Sequence, residues 1–118
     1  MLNKLFKSIL EQDTAPIVVC DMNSTIVYMN SSAIERYHKD LTGSNLKNCH
    51  NSKSNEIIEK VLAWFGESEQ NNTVYTYHND EENKDVYMIA LRDDDKSLIG
   101  YYEKHEYRNR ETSGFYEM

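Results

Sequence analysis

The hydrophobic spacing of this chain alternates between helical and strand periods, and the order of those blocks limits the folds open to it. Leu2, Leu5, Phe6, Ile9 and Leu10 fall at i, i+3, i+4, i+7 and i+8, one face of a helix, with Lys4, Lys7 and Ser8 on the other. Asp13-Thr14-Ala15-Pro16 ends that helix. Ile17-Val18-Val19-Cys20 is a short apolar strand run, Asp21-Met22-Asn23-Ser24 a tight turn, and residues 25–29 the returning strand. Asn30 and the serines after it offer N-cap side chains, and Ser32 with Glu35 has capping-box spacing, so a short helix through Ala33, Ile34 and Tyr37 follows. Residues 40–46 are irregular. Ser54 reads as the cap of a stronger helix that ends at Gly66. Ile57, Ile58, Val61, Leu62 and Phe65 form its apolar face, and Glu56 with Lys60 an exposed i,i+4 pair. Past the polar run 67–72 the period drops to two. Three strands are expected, over residues 74–78, 86–92 and 98–107, separated by polar, acidic turns at 79–83 and 93–96.

Helix, two strands, short helices, one longer helix, three strands: this order fits an α+β fold, an antiparallel sheet covered on one face by helices. At 118 residues the chain makes one domain, with one core and room for a modest pocket. The expected division is an N-terminal amphipathic helix over 1–12, a domain over 13–108 and a loose tail over 109–118. The formal net charge of −7 disfavours nucleic acid and anionic membrane as partners. No apolar run reaches membrane-spanning length and no signal peptide is evident, so a cytoplasmic location is expected. Cys20 and Cys49 make no disulfide framework; one buried and one free thiol is the reading. Nine tyrosines against three phenylalanines suit strands with one wet end, or a pocket lined by hydroxyls.

The run APIVVCDMNSTIVYMNSSAIERY resembles the opening of PAS domains, in which a strand ends in Asp, a turn follows, and a second strand ends in Asn before a short helix containing Ala. Those positions here are Asp21, Asn30 and Ala33. LTGSNL resembles the PAS segment leading to the pocket-facing helix, and VYMIALRDDDKSLIGYYE the last hairpin, with Gly100 in the final strand. One departure is Asn23 in the turn where the family often has Gly; Asn tolerates positive φ better than most residues. LTGSNLKNCHNSKS further resembles a bacterial PAS subgroup with a Gly…Cys-His…Ser run before the long helix. The resemblance spans residues 12–107 and implies a five-stranded sheet in the order 2-1-5-4-3, with the 54–65 helix packed across one face. It also implies a sensor that binds haem, flavin, small carboxylates or lipids, or that binds nothing and pairs with another domain.

Chemistry concentrates at His50, beside Cys49 and just before the long helix. Neutral imidazole is a good axial ligand for haem iron, so haem held by His50 is one expectation; a His that bonds local backbone and holds the loop is the other. His38 leaves the short helix among charges and is a weaker candidate, while His78 and His105 read as solvated strand residues. No paired Cys/His spacing suggests zinc. A covalent flavin photoreceptor is argued against: its reactive Cys directly follows Asn in a G-x-N-C run, whereas Leu46 follows Asn45 here and Cys49 comes three positions later. There is no phosphate loop, nucleophile elbow or metalloprotease motif, and the clusters Asp80-Glu81-Glu82 and Asp93-Asp94-Asp95 read as solvated turn tips, so no catalysis is expected. A mostly apolar pocket lined by Val18, Cys20, Met29, Tyr37, Ile57, Val61, Phe65, Met88, Ala90 and Tyr101 is expected, with His50 near its mouth. It would take haem or another apolar or aromatic molecule; in an interaction module the same residues are simply core. Residues 2–10 must cover their own sheet or a second chain. By resemblance, a homodimer through this helix is expected. No kinase, cyclase or DNA-binding segment follows, so output is expected through that dimer or a separate effector protein.

Overall fold

The two strand blocks close into one antiparallel sheet, here in a computed structural model that describes residues 1–116. The elements are α1 (Leu2–Gln12), β1 (Ile17–Asp21), β2 (Ile26–Met29), α2 (Ser31–Tyr37), a 3-10 turn (Leu46–Cys49), α3 (Ser52–Glu67), β3 (Thr73–Asn79), β4 (Lys84–Arg92) and β5 (Leu98–Tyr107). The strand order is β2-β1-β5-β4-β3, every neighbouring pair antiparallel, as the sequence led us to expect. The last strand thus lies at the centre and joins the N-terminal hairpin to the C-terminal one. Gly100 is required at that junction, because a Cβ there would stand 2.4 Å from the Cys20 carbonyl oxygen on β1.

The β1–β2 turn forms because Asp21 Oδ1 accepts from the backbone N–H groups of Asn23 and Thr25, at 2.9 and 3.0 Å. Ser24, not Asn23, takes the left-handed conformation, with φ 65°. Its buried hydroxyl accepts a 2.7 Å hydrogen bond from Tyr101, which fixes the turn to the central strand.

Asn30 is the cap of α2 and is fully buried. Its Oδ1 accepts from Ala33 N at 2.9 Å and Ile17 N at 3.0 Å. Its Nδ2 donates to the carbonyls of Leu10 and Ala15, both at 2.9 Å. One amide therefore ties together the end of α1, the start of β1 and the start of α2. The Ser32–Glu35 capping box does not form, because Ser32 Oγ donates instead to the Asp13 carbonyl at 3.0 Å.

Two expectations about α3 need correction. It starts at Ser52, capped by Asn51 Oδ1 on Ser54 N at 2.8 Å, rather than being capped by Ser54. It also runs through Gly66, which does not act as a left-handed stop. The end is closed from β4: Arg92 donates to the carbonyls of Phe65, Ser68 and Asn71 at 2.8, 3.1 and 3.2 Å, and to Asn72 Oδ1 at 2.6 Å. A distant guanidinium supplies the cap that local glycine was expected to supply. Lys47 pairs with Glu59 of α3, so the ion pair on this face uses neither Glu56 nor Lys60.

The core lies between the inner sheet face and the helices, and comprises Val18, Cys20, Ile26, Met29, Ala33, Leu46, Ile58, Val61, Phe65, Met88 and Tyr101. Burial pushes the Cys20 thiol up to about 12, so it is an inert core group, while Cys49 is exposed. By contrast, α1 does not lie over the sheet. Only its last turn is attached, through Asn30 on Leu10 and through Glu11, which accepts from Tyr28 and Ser31. Leu2, Leu5, Phe6 and Ile9 are 52 to 65 % exposed. Among the described residues no helix is long and apolar enough to cross a membrane. Residues 109–116 form no helix or strand, and the last two residues of the expected tail lie outside the described residues.

Candidate functional site

Strand alternation places Lys84, Val86 and Met88 of β4 on the same sheet face as Glu103 and His105 of β5. Met88 pairs with Glu103 and Val86 with His105. Above them α3 contributes Ser54, Ile57 and Ile58, α2 contributes Arg36 and Tyr37, and β3 contributes Thr76, Tyr77 and Asn79. Together with His50 these enclose a cavity of about 280 Å³. Its floor is charged. Lys84, Glu103 and His105 are only 1, 8 and 6 % exposed.

Around Glu103 the geometry is an imidazole–carboxylate–imidazole row: Nε2 of His50 lies 3.8 Å and Nε2 of His105 lies 3.7 Å from the same Oε1. Burial pushes the Glu103 carboxyl up, but the two imidazoles outweigh that and hold it well below the usual carboxylate range. Reciprocally, the Glu103 carboxylate raises the His50 pKa against the opposing effect of burial. Nδ1 of His50 lies 3.0 Å from the Leu46 carbonyl, which anchors the ring to the 3-10 turn. At the other end, Lys84 Nζ lies 3.1 Å from Glu82 Oε2, near enough to pair as ions but off the alignment of a hydrogen bond. Glu82 is shared, since Arg36 pairs with its Oε1 at 2.8 Å. Burial lowers the Lys84 pKa despite that partner. Among the described residues Glu103 Oε2, Lys84 Nζ and both ring nitrogens of His105 find no hydrogen-bond partner.

This sheet order, with a helix packed over a cavity on the inner face, agrees with a family model described as PAS domain, which matches residues 14–103. The chain belongs to the PAS domain family. No curated protein matches the chain. Solved structures superpose over most of it. A C-terminal domain from Streptococcus mutans is 24 % identical with a TM-score of 0.65, covering 88 % of this chain and 83 % of that one. The PAS domain of a protein from Colwellia psychrerythraea is 12 % identical with a TM-score of 0.68, covering 90 % and 96 %. A sensory box sensor histidine kinase from Vibrio cholerae is 14 % identical with a TM-score of 0.61, covering 89 % and 90 %. At these identities the likeness is one of fold.

Haem does not fit the residues of this PAS cavity. An axial imidazole needs a neutral nitrogen facing the iron, yet both nitrogens of His50 face oxygens, and the carboxylate favours the imidazolium. At about 280 Å³ the cavity also lies at the bottom of the roughly 300–1,000 Å³ range of sites for drug-sized ligands. A porphyrin face would have to rest on Glu103, Lys84 and His105. Among the described residues no group of three or more His, Cys, Asp or Glu is arranged to hold a metal ion.

Of the residues expected to line the PAS pocket, Tyr37, Ile57, Met88 and His50 do so. Val18, Cys20, Met29, Val61, Phe65 and Tyr101 lie in solid core, and Ala90 packs against it, because Phe65 and Tyr101 fill the space beneath α3. The cavity is displaced toward the β3–β4 end; its lining is mostly apolar, but buried charged side chains form its floor. His105 is buried there, not solvated. His78 pairs with Asp85 at 2.7 Å, away from the cavity, and His38 is an exposed left-handed residue after α2. Glu82 is not a free turn tip but the carboxylate between Arg36 and Lys84. Strand period alone could have found Lys84, Glu103 and His105, since they alternate in step with Met88 and Tyr101.

Proposed function

We propose that the chain is a non-catalytic PAS sensor module whose input is a small polar molecule in this cavity and whose output leaves through α1 to a second copy of the chain. One observation carries the input. Three buried side chains present to one cavity polar atoms that find no partner among the described residues, and leaving such groups unpaired costs about 1–3 kcal/mol each. An occupant that pairs with them is therefore strongly favoured. The output rests on the exposed stripe of Leu2, Leu5, Phe6 and Ile9. An isolated helix of this length is unstable in water unless its apolar face is covered, and a second copy offers an identical stripe.

Native mass spectrometry of gently purified protein, with its absorption spectrum, tests the input. A retained small polar molecule without a Soret band is expected. A Soret band would overturn the polar-ligand reading. No retained molecule, together with an Ile57→Trp variant that fills the cavity and gains stability, would favour a ligand-free interaction module. Light scattering across a concentration series tests the output: a dimer is expected for the wild type and a monomer for Leu5→Asp with Ile9→Asp. A wild-type monomer at high micromolar concentration would end the dimer reading.

A further inference from the structure

The cavity is chemically two-ended. Its β3–β4 end holds two cations, Lys84 and Arg36, that share the single carboxylate of Glu82, at 3.1 and 2.8 Å. One positive charge is left over, and among the described residues the buried Lys84 ammonium has none of its donors in a hydrogen bond. Such a group calls for an anionic acceptor. Toward the 3-10 turn, Glu103 Oε2 is a buried acceptor with no donor. An ionised carboxylate only accepts, so whatever meets it must donate. A second anion would be repelled there. A cation would be repelled in turn by His50, whose imidazolium the carboxylate favours, and the second imidazole of His105 lies 3.7 Å from the same oxygen. A neutral hydroxyl meets both conditions. Between the two ends Ile57, Val86 and Met88 offer apolar surface to a carbon skeleton. Lys84 and the partner of Glu103, Met88, stand four residues apart on β4, roughly 13 Å between their backbones, so the two groups enter the cavity from different points along the strand.

We infer that the cavity binds a small hydroxy acid, its carboxylate on Lys84 and Arg36 and its hydroxyl donating to Glu103. This rests on the sensor reading above and names the ligand class. Calorimetric titration of the full chain with butyrate and with hydroxybutyrate, aminobutyrate and butanediol, the last three with their functional groups at opposite chain ends, separates the contributions. Hydroxybutyrate should bind at least about tenfold more tightly than butyrate, which lacks the donor, and than aminobutyrate, whose donor is charged. Butanediol, which lacks the carboxylate, should give no heat. Lys84→Met should lose hydroxybutyrate binding at least about tenfold, with its near-ultraviolet circular dichroism unchanged, because a buried charge gives way to an apolar chain of similar length. Lys84→Gln serves if that variant misfolds. Equal affinity for butyrate and hydroxybutyrate, or undiminished binding to a folded Lys84 variant, overturns the assignment. So does the absence of heat from all four probes. If another class of molecule binds, and Ile57→Trp abolishes that binding, the hydroxy-acid assignment falls while the sensor reading stands.

Discussion

Replacing Asn30 by Ala should be among the most damaging single changes in this protein. The amide is fully buried and makes four bonds of 2.9–3.0 Å. Losing the cap on Ala33 N costs about 1 kcal/mol. Ile17 N and the Ala15 carbonyl would be orphaned in buried positions, at about 1 kcal/mol each by the low end of the usual range. The Leu10 carbonyl sits near solvent in the last turn of α1, where water can replace the amide. The sum is roughly 3 kcal/mol, against a total of about 5–15 kcal/mol for a domain. With a urea slope near 2 kcal/mol/M the midpoint should fall by about 1.5 M. Hydrogen exchange should show a second effect: the α1 amides lose protection beyond the global change, because the variant releases the helix end. Asn30→Asp is the sharper control. It keeps the Oδ1 acceptor but turns a second oxygen toward two carbonyls, so it should be no more stable than Asn30→Ala at neutral pH. A loss below about 1 kcal/mol in Asn30→Ala, the cap alone, would refute the idea that one amide joins three elements.

Gly100→Ala should cost about 3 kcal/mol in chemical denaturation, since its Cβ would stand 2.4 Å from a backbone oxygen of the neighbouring central strand and one strand must shift; a change within about 0.5 kcal/mol would mean that the strands separate freely. Arg92→Met should cost about 2 kcal/mol and raise hydrogen exchange in the last turn of α3, and Arg92→Lys should not rescue it, because an ammonium lacks the planar fork that reaches these carbonyls. Stability should also depend on pH in two limbs. The Glu103 pKa is depressed from 4.5 to about 2, so the stability it lends is present above the ordinary value and is lost as pH falls from 4.5 toward 2. The His50 pKa is raised from 6.5, so its contribution is present below that value and is lost as pH rises through the raised one. Glu103→Gln should weaken both limbs in pH-dependent urea unfolding, and retention of both would show that other groups set the profile.

The sheet was legible because its strands follow the simplest rule in the sequence, alternation bounded by polar turns, and 98–107 matches the last strand end to end. Helix ends were less legible. Asn51 precedes Ser54 by one turn and both are good caps, and local pattern cannot rank them; the stop of α3 depends on Arg92, a residue of another strand. The 3-10 turn at Leu46–Cys49 was hidden in a stretch with no period to read. The cavity was misplaced for a related reason. Apolar residues of the inner face read as lining, but Phe65 and Tyr101 are large enough to close that space. The open volume lies where charged residues interrupt the pattern, and a charge in a strand reads as outward-facing unless its alternation is followed from Met88 back to Lys84 and from Tyr101 on to His105.

The attachment of α1 has a mechanical consequence. Its eleven residues make a rod about 16 Å long, clamped at one end by Asn30 and Glu11 and unclamped at the other. Rotation of such a rod by roughly 10° about its clamp carries Leu2 through nearly 3 Å, by the same length arithmetic. The clamp is also the first residue of the short segment that leads to Arg36 and Tyr37 at the cavity wall. A tilt of the clamp by that angle therefore becomes a displacement of side-chain dimensions at the far tip of the rod, enough to change which apolar residues of two such rods face one another.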